Sequence, residues 1–417
     1  MPDAERDRTI AEPRIVAFLL SPYEIAAGRR QHDEPHAQAI LDRCISLGLP
    51  HATAPGGQRL FDPAEVVNFI KYAHFAWAEP IWMQRGVGML RRLMGEAVPG
   101  TPAGEPPDLA VLRPNRYAVT ITRRFHLTGR KPGDRLRLRL PLPIADATLA
   151  DPTIEVLPPP GLAIHTRIEP ARLEVVLAVP DDLHITIAVR TEFQALPRSA
   201  LPPPPLDPSE AVLYTRPSEG LVKVNARVQA LANRLAGPET DQWTILRHFW
   251  DHLFDDLDLG FIHYDRLDPH NPLDWTLDHR RYNCQTGAAL LVALCRARGI
   301  PARMVSGYTL NPVLPTSHSW CEIWFESQGW LPFDLYSMDL CGGDRDSLWR
   351  HHYFGRLDHR LVTERPPLLF CGTGAVRLPA AWHMVSATTD QGAVTEFEDR
   401  DSGRPIYSET VSVQLRE

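Results

Sequence analysis

Six cysteines in 417 residues, at 44, 284, 295, 321, 341 and 371, are too few and too scattered for a disulfide framework. They read as reduced thiols. No apolar run approaches the roughly 20 residues that a bilayer span requires. The charged opening MPDAERDRTIAEPR lacks the hydrophobic segment of a secretion signal, so a cytoplasmic protein without a membrane partner is expected. Positive charge is not in surplus either. The formal net charge of -7 gives no general attraction to nucleic acid, and none is expected as a partner. Metal-ligand spacings are scarce. His318 and Cys321 stand three apart on a strand-like run, where they face opposite sides, and no CxxC pair supports zinc. HNPLDW and DDLDLG lack the spacing of a calcium loop. There is no internal repeat, and no cofactor is implied.

Proline, by contrast, is abundant, with 40 residues, and it clusters in PGTPAGEPP (99–107) and LPRSALPPPPLDPSE (196–210). These runs read as semi-rigid connectors. They divide the chain into an N-terminal helical region (1–98), a linker (99–115), a β-sandwich (116–196), a second linker (197–211) and a C-terminal domain (212–417). Such a length carries two or three cores.

Each part has its own periodicity. In 1–98, HAQAILDRCISLGL and PAEVVNFIKYAHFAWAEPIW repeat at helical spacing, with Asp62 capping the second helix, Pro63 in its first turn and a Gly56–Gly57 hairpin turn between them. An adapter packed on the rest of the chain is the simpler reading, against a winged-helix module. Phe75, Trp77 and Trp82 read as core residues. From 116 to 196, six short alternating runs separated by turn residues indicate an antiparallel sandwich. Within DRLRLRL the leucines face one way and the arginines the other, so the arginines form a solvated face. After 212, helical ARVQALANRLA and TILRHFWDHLFDDL precede strand-like HSWCEIWF and GWLPFDLY, an α+β order. VSATTD and YSETVSVQL are the strand candidates of the tail.

One stretch, YNCQTGAALLVALCRARGIPARMVSGY (282–308), carries the chemistry. Thr286 to Arg298 reads as a helix with Leu290, Leu291, Leu294 and Cys295 on its apolar stripe and Gly299 as its stop. Cys284 then lies at the helix N-terminus, where open N–H groups and the macrodipole favour an anion and can hold an oxyanion. A thiol nucleophile also needs a base and a group to orient that base. His318 opens one strand and Asp334 lies in the next, with Gly329 in a hairpin between them. Neighbouring strands would set the carboxylate beside the imidazole, in the manner of a triad.

The blocks CQTGAALLVALCRARGIPARMVSGY, HSWCEIW and GWLPFDLY together resemble the transglutaminase-like superfamily. TLDHRRYNC upstream and HYFGRLDHRL downstream look similar as well. The resemblance covers roughly 222–340 and implies a papain-like core, here preceded by a β domain as in bacterial members. It makes Cys284 the nucleophile, His318 the base and Asp334 the orienting carboxylate. Leu335 stands where members often have proline, and Cys321 where they have an aliphatic residue. Gln285, Tyr308 and Trp320 are candidates for shaping the substrate pocket, with core packing as the alternative for each. Gln285 is also a candidate helix cap, and Trp243 or Trp275 could cover the site. The other cysteines read as core thiols, and the remaining histidines, including His351 and His352, as surface or satisfied residues.

The expected activity is acyl transfer through a thioester on a protein, peptide or small amide substrate. Hydrolysis is preferred because water needs no second binding site. The alternatives are transfer to an amine and a non-catalytic scaffold that keeps the fold.

Overall fold

The computed structural model describes residues 9–19, 34–72, 116–127, 131–144, 149–169, 171–196, 203–263, 266–268, 270–310, 317–335, 354–355, 360–365, 386–389, 392–394, 398–399, 404–405 and 407–416. Expectations for Phe75, Trp77, Trp82, Cys341, His351, His352, Cys371 and the first linker lie outside them.

The N-terminal unit comprises β1 (Ile10–Ala11), α1 (Glu12–Leu19), α2 (Glu34–Ser46), β2 (Ala52–Thr53), β3 (Arg59–Phe61) and α3 (Pro63–Tyr72). The hairpin β2–β3 turns through Gly56 and Gly57, both at positive φ, which glycine adopts without steric cost. Asp62 accepts from the Ala64 N–H at the start of α3. Ile15, Leu41, Cys44, Phe61 and Val66 form the core of this unit.

Six strands follow: β4 (Arg116–His126), β5 (Arg135–Pro141), β6 (Leu149–Leu157), β7 (Ile164–Glu169), β8 (Arg172–Ala178) and β9 (His184–Ala195). Leu136, Leu138 and Leu140 of β5 are fully buried between two sheets, while Arg137 and Arg139 stand in the wet face near Glu174. The period-2 pattern thus sorts the two side-chain types as alternation requires.

The second proline run stops sooner than its composition indicates. Asp207 accepts from the Ser209 N–H, and Pro208 occupies the first turn of α4 (Pro208–Thr215), so residues 208–211 are helix, not linker. The hairpin β10 (Ser218–Glu219) and β11 (Val222–Lys223) leads to α5 (Ala226–Ala236) and α6 (Gln242–Asp255), each capped by the side chain before it, Asn225 and Asp241. Strand β12 (Asp258–Leu259), helix α7 (Pro272–His279) and strand β13 (Arg281–Tyr282) come next, and β12 and β13 pair in parallel. Helix α8 (Cys284–Ala297) is buried from Gln285 through Arg296, not along one stripe alone. Each fully buried leucine there contributes about 2 kcal/mol. It ends as expected. Gly299 is at φ 72°, and the Ile300 and Gly299 N–H groups donate to the Cys295 and Arg296 carbonyls.

Strands β14 (Ala302–Thr309), β15 (Ser317–Phe325), β16 (Gly329–Phe333) and β17 (Arg360–Glu364) form an antiparallel sheet in the order β16-β15-β14-β17. Ala302, Met304, Cys321, Ile323 and Phe333 pack with α8 in one cluster, whereas Val305, Trp320 and Val362 pack with Ile144 of the sandwich. One sheet therefore separates helix from sandwich.

The tail corrects the expected boundary of the C-terminal domain. Strand β18 (Ser386–Thr389), flanked by β19 (Gly392–Val394), pairs with β5. After the pair β20 (Glu398–Asp399) and β21 (Arg404–Pro405), β22 (Tyr407–Arg416) pairs with β4 along its whole length. The sandwich sheets are thus β19-β18-β5-β8-β7 and β22-β4-β9-β6. The two strand candidates of the tail complete the sandwich and do not extend the β16-β15-β14-β17 sheet. The fold class is α+β. Among the described residues no helix is long and apolar enough to cross a membrane.

Candidate active site

Cys284 owes its position to the residues before it. β12 pins β13, and the Gly260 N–H donates to the Tyr282 carbonyl at 2.8 Å. Asn283 is the cap of α8: its side-chain oxygen accepts from the Gln285 and Thr286 N–H groups at 3.1 and 3.0 Å, and the Thr286 hydroxyl accepts from the Asn283 N–H. Cys284 is consequently the first helical residue, and the cap takes the two amides after its own. The expected cap, Gln285, is instead a capped residue.

Gly287 allows close packing at this tip. A Cβ there would come within 2.6 Å of the Tyr282 ring and 3.3 Å of Leu335. Leu335 follows Asp334 directly, so the bare first turn lets the carboxylate strand approach the helix start.

His318 and Asp334 come together through register. Cys321 pairs with Phe333 across β15 and β16, which places the end of β16 beside the start of β15. The His318 Nε2–H donates to Asp334 Oδ2 at 2.8 Å, and both side chains are buried. The imidazole also interacts with the Cys284 thiol, and Cys284 is partly exposed. Burial pulls the His318 imidazole down. The charge and hydrogen bond of Asp334, then the bond and charge of Cys284, outweigh burial and raise it to about 9.

Cys284 differs from the other described thiols. Cys44, Cys295 and Cys321 are fully buried. Burial raises Cys44 to about 11 and pushes Cys295 and Cys321 further up. The Cys321 sulfur sits 3.5 Å from the Phe333 carbonyl oxygen, in the cluster against α8.

The pocket candidates are placed differently from Cys284, His318 and Asp334. Tyr308 is fully buried, and its hydroxyl accepts from Arg123 of β4 at 3.0 Å. It joins sheet to sandwich. Trp320 is 2 % exposed, with its ring 6.1 Å from that of His318 and packed near Ile144, so it walls the imidazole from behind. Gln285 is buried in the first turn of α8. Trp243 stacks on Phe325 and Trp275 on His279, each with centroids 4.1 Å apart. Trp243 and Trp275 both pack against the hydrophobic cluster of α8.

Sequence reasoning missed Arg360. It opens β17, is buried, and its Nη2 lies 3.1 Å from the same Asp334 Oδ2 that His318 engages. Gly307 makes room for this strand, because a Cβ there would run into the Leu361 carbonyl oxygen. A register shift between Ser306 and Gly307 marks the same place. HYFGRLDHRL contains Arg360, but an arginine beginning a strand looks like a solvated residue in sequence.

The model of the transglutaminase-like superfamily matches residues 229–335, a segment that contains Cys284, His318 and Asp334. That segment is a transglutaminase-like domain. A protein-glutamine gamma-glutamyltransferase of Pseudomonas aeruginosa is 35 % identical over 71 residues, which are 15 % of this chain and 11 % of the relative. The chain thus spans about a tenth of the curated relative that it matches. Among solved structures, a protein of Cytophaga hutchinsonii described as a candidate cysteine protease is 15 % identical. That match covers 73 % of this chain and 92 % of that one, with a TM-score of 0.46. The periplasmic domain of TgpA from Pseudomonas aeruginosa is 20 % identical and covers 59 % and 96 %, with a TM-score of 0.31.

Proposed function

We propose that this protein is a thiol-dependent acyl-transfer enzyme that hydrolyses amide or peptide bonds. One observation carries the reading. A partly exposed cysteine at a helix tip interacts with a buried imidazole, whose Nε2 donates to a buried carboxylate.

In this reading Cys284 and His318 rest as a thiolate–imidazolium pair, and the sulfur adds to the acyl carbon. The Cys284 N–H, at the start of α8, faces the developing oxyanion. As the carbon–nitrogen bond breaks, His318 passes its proton to the departing amine and an acyl thioester remains. Neutral His318 then takes a proton from water, whose oxygen attacks the thioester. The acid leaves, and the thiolate–imidazolium pair is restored. Asp334 holds the imidazole in the tautomer this cycle needs and stabilises its cationic form. A reducing compartment, which keeps Cys284 a thiol, belongs to the same proposal.

A second reading is transfer of the acyl group to an amine. It is supported by the matching Pseudomonas aeruginosa relative, which bears the name of a protein-glutamine gamma-glutamyltransferase. Intact-mass analysis of the acyl-enzyme, followed by chase with water or with a primary amine, separates the two.

Low-dose iodoacetamide at neutral pH should label Cys284 at least tenfold faster than Cys44, Cys295 or Cys321, and Cys284→Ala should abolish turnover. Equal labelling, or full activity in the variant, points to a scaffold instead. Asp334→Asn should cost on the order of 10²- to 10⁴-fold in kcat. Because His318 stays protonated to about 9, kcat/KM should fall as pH rises through that value, where the acid that serves the leaving group is lost.

A further inference from the structure

Asp334 Oδ2 accepts from two cations that reach it from different strands. His318 Nε2 comes from β15 at 2.8 Å and Arg360 Nη2 from β17 at 3.1 Å, and all three side chains are buried. The triad chemistry alone needs only the first. A buried carboxylate with one imidazolium partner is already charge-balanced, so a second buried cation on the same oxygen calls for an explanation. It is built in. Gly307 and the register shift beside it bring β17 close, Val362 packs with Trp320 two residues along from Arg360, and the Arg360 guanidinium lies 5.8 Å from the Trp320 ring centre.

We propose that Arg360 is a positioning residue for the Cys284–His318–Asp334 site: by sharing Oδ2 it fixes the carboxylate and weakens its hold on the imidazolium. This rests on the thiol-enzyme reading above. A cation near the imidazolium disfavours its charged form, so Arg360 keeps His318 a stronger acid than Asp334 alone would allow. The departing amine then receives its proton more readily. The ionisable groups on the elements packed here are Cys284, Cys295 and Arg296 from α8, Arg303 and Tyr308 from β14, His318, Cys321 and Glu322 from β15, Asp334 after β16, and Arg360 and Glu364 from β17. Glu322 is engaged by Arg303 and Arg365, which leaves Arg360 as the cation recorded on Asp334 besides His318.

The test uses the full chain and iodoacetamide, and so needs no knowledge of the substrate. The alkylation rate of Cys284 against pH should rise in two steps. The upper one, near pH 9, occurs where imidazolium deprotonates and frees the thiolate of its partner. Arg360→Gln should move the upper step upward by about one unit, the scale of a lost charge neighbour. Arg360→Lys should return it to within a few tenths of wild type. Thermal unfolding measured in parallel separates a loss of stability from a shifted profile. If the glutamine variant does not fold, Arg360→Met replaces it, because its stem fills the site without a buried polar head. An upper step that stays put or falls in a folded charge-free variant overturns the positioning role. A wild-type profile with no upper step overturns the enzymatic reading itself.

Discussion

Where the sandwich meets the transglutaminase-like segment, Tyr308, Leu310 and Leu361 lie in one apolar cluster with Tyr117, Val119, Ile121 and Phe193, and Ile144 shares another with Trp320. Where the N-terminal unit meets the same segment, its buried cluster holds, among the described residues, only ones between Ile10 and Phe69, and polar contacts cross to the segment. Asn68 exchanges two hydrogen bonds with the Phe261 backbone, His263 approaches Asp62 at 2.9 Å, and Arg281 approaches Glu65 at 3.4 Å. Burial of apolar area is large and non-directional, whereas a partly exposed polar pair contributes about 1 kcal/mol or less. The first attachment makes sandwich and sheet one cooperative body. The second is a docking contact, placed on the chain that leads into Cys284.

Deleting residues 407–416 should have the largest effect, because it strips β4 of a partner along ten residue pairs. Soluble yield and a single unfolding transition should both be lost; a truncated chain with the wild-type midpoint would refute the comparison. Arg123→Met comes next. The guanidinium is fully buried between Glu409, at 3.0 Å, and the Tyr308 hydroxyl. Breaking a buried pair of this kind costs about 3 kcal/mol, measurable by urea unfolding. Tyr308→Phe removes one hydrogen bond at the same junction and should cost about 1 kcal/mol, with Cys284 alkylation within twofold of wild type. Smallest in global terms is Asn68→Ala. It should leave the main unfolding midpoint in place while raising hydrogen exchange near 261–282, and a drop in the main midpoint of several degrees would show that the two attachments are alike. Acid sharpens the same contrast. Burial raises the Asp62 carboxyl, but bonds from His263 and the Ala64 N–H outweigh it and hold it low. Its docking contribution is therefore complete above the ordinary value of about 3.9 and is lost as pH falls through the lower folded value.

That Cys284, His318 and Asp334 would meet was legible because each sits in a contiguous block whose local structure the sequence dictates. Asn283 and Thr286 make a cap, Gly299 makes a stop, and Gly329 makes a hairpin. Arg360 was not legible, since its partner lies 26 positions away and only the close approach at Gly307 connects them. Alternation in YSETVSVQL marked a strand, but a period of two names a face and never a neighbour, so its place beside β4 was hidden. That Tyr308 and Trp320 are buried against the sandwich was hidden for a related reason. Aromatics near a reactive histidine look alike in sequence whether they line a cleft or seal the wall behind it. In DPSE the helix start was masked by the prolines around it, although Asp207 and Pro208 are a cap and first turn.

The pairing of β22 with β4 also bears on biosynthesis. A ribosome delivers β4 long before β22, with the whole reactive segment emerging in between. Until then β4 presents an open hydrogen-bonding edge, a template for other nascent chains. Such long-range closure is slow. A polysome stalled ahead of Tyr407 would thus hold a chain in which the thiol site is already translated but its supporting wall is not yet closed.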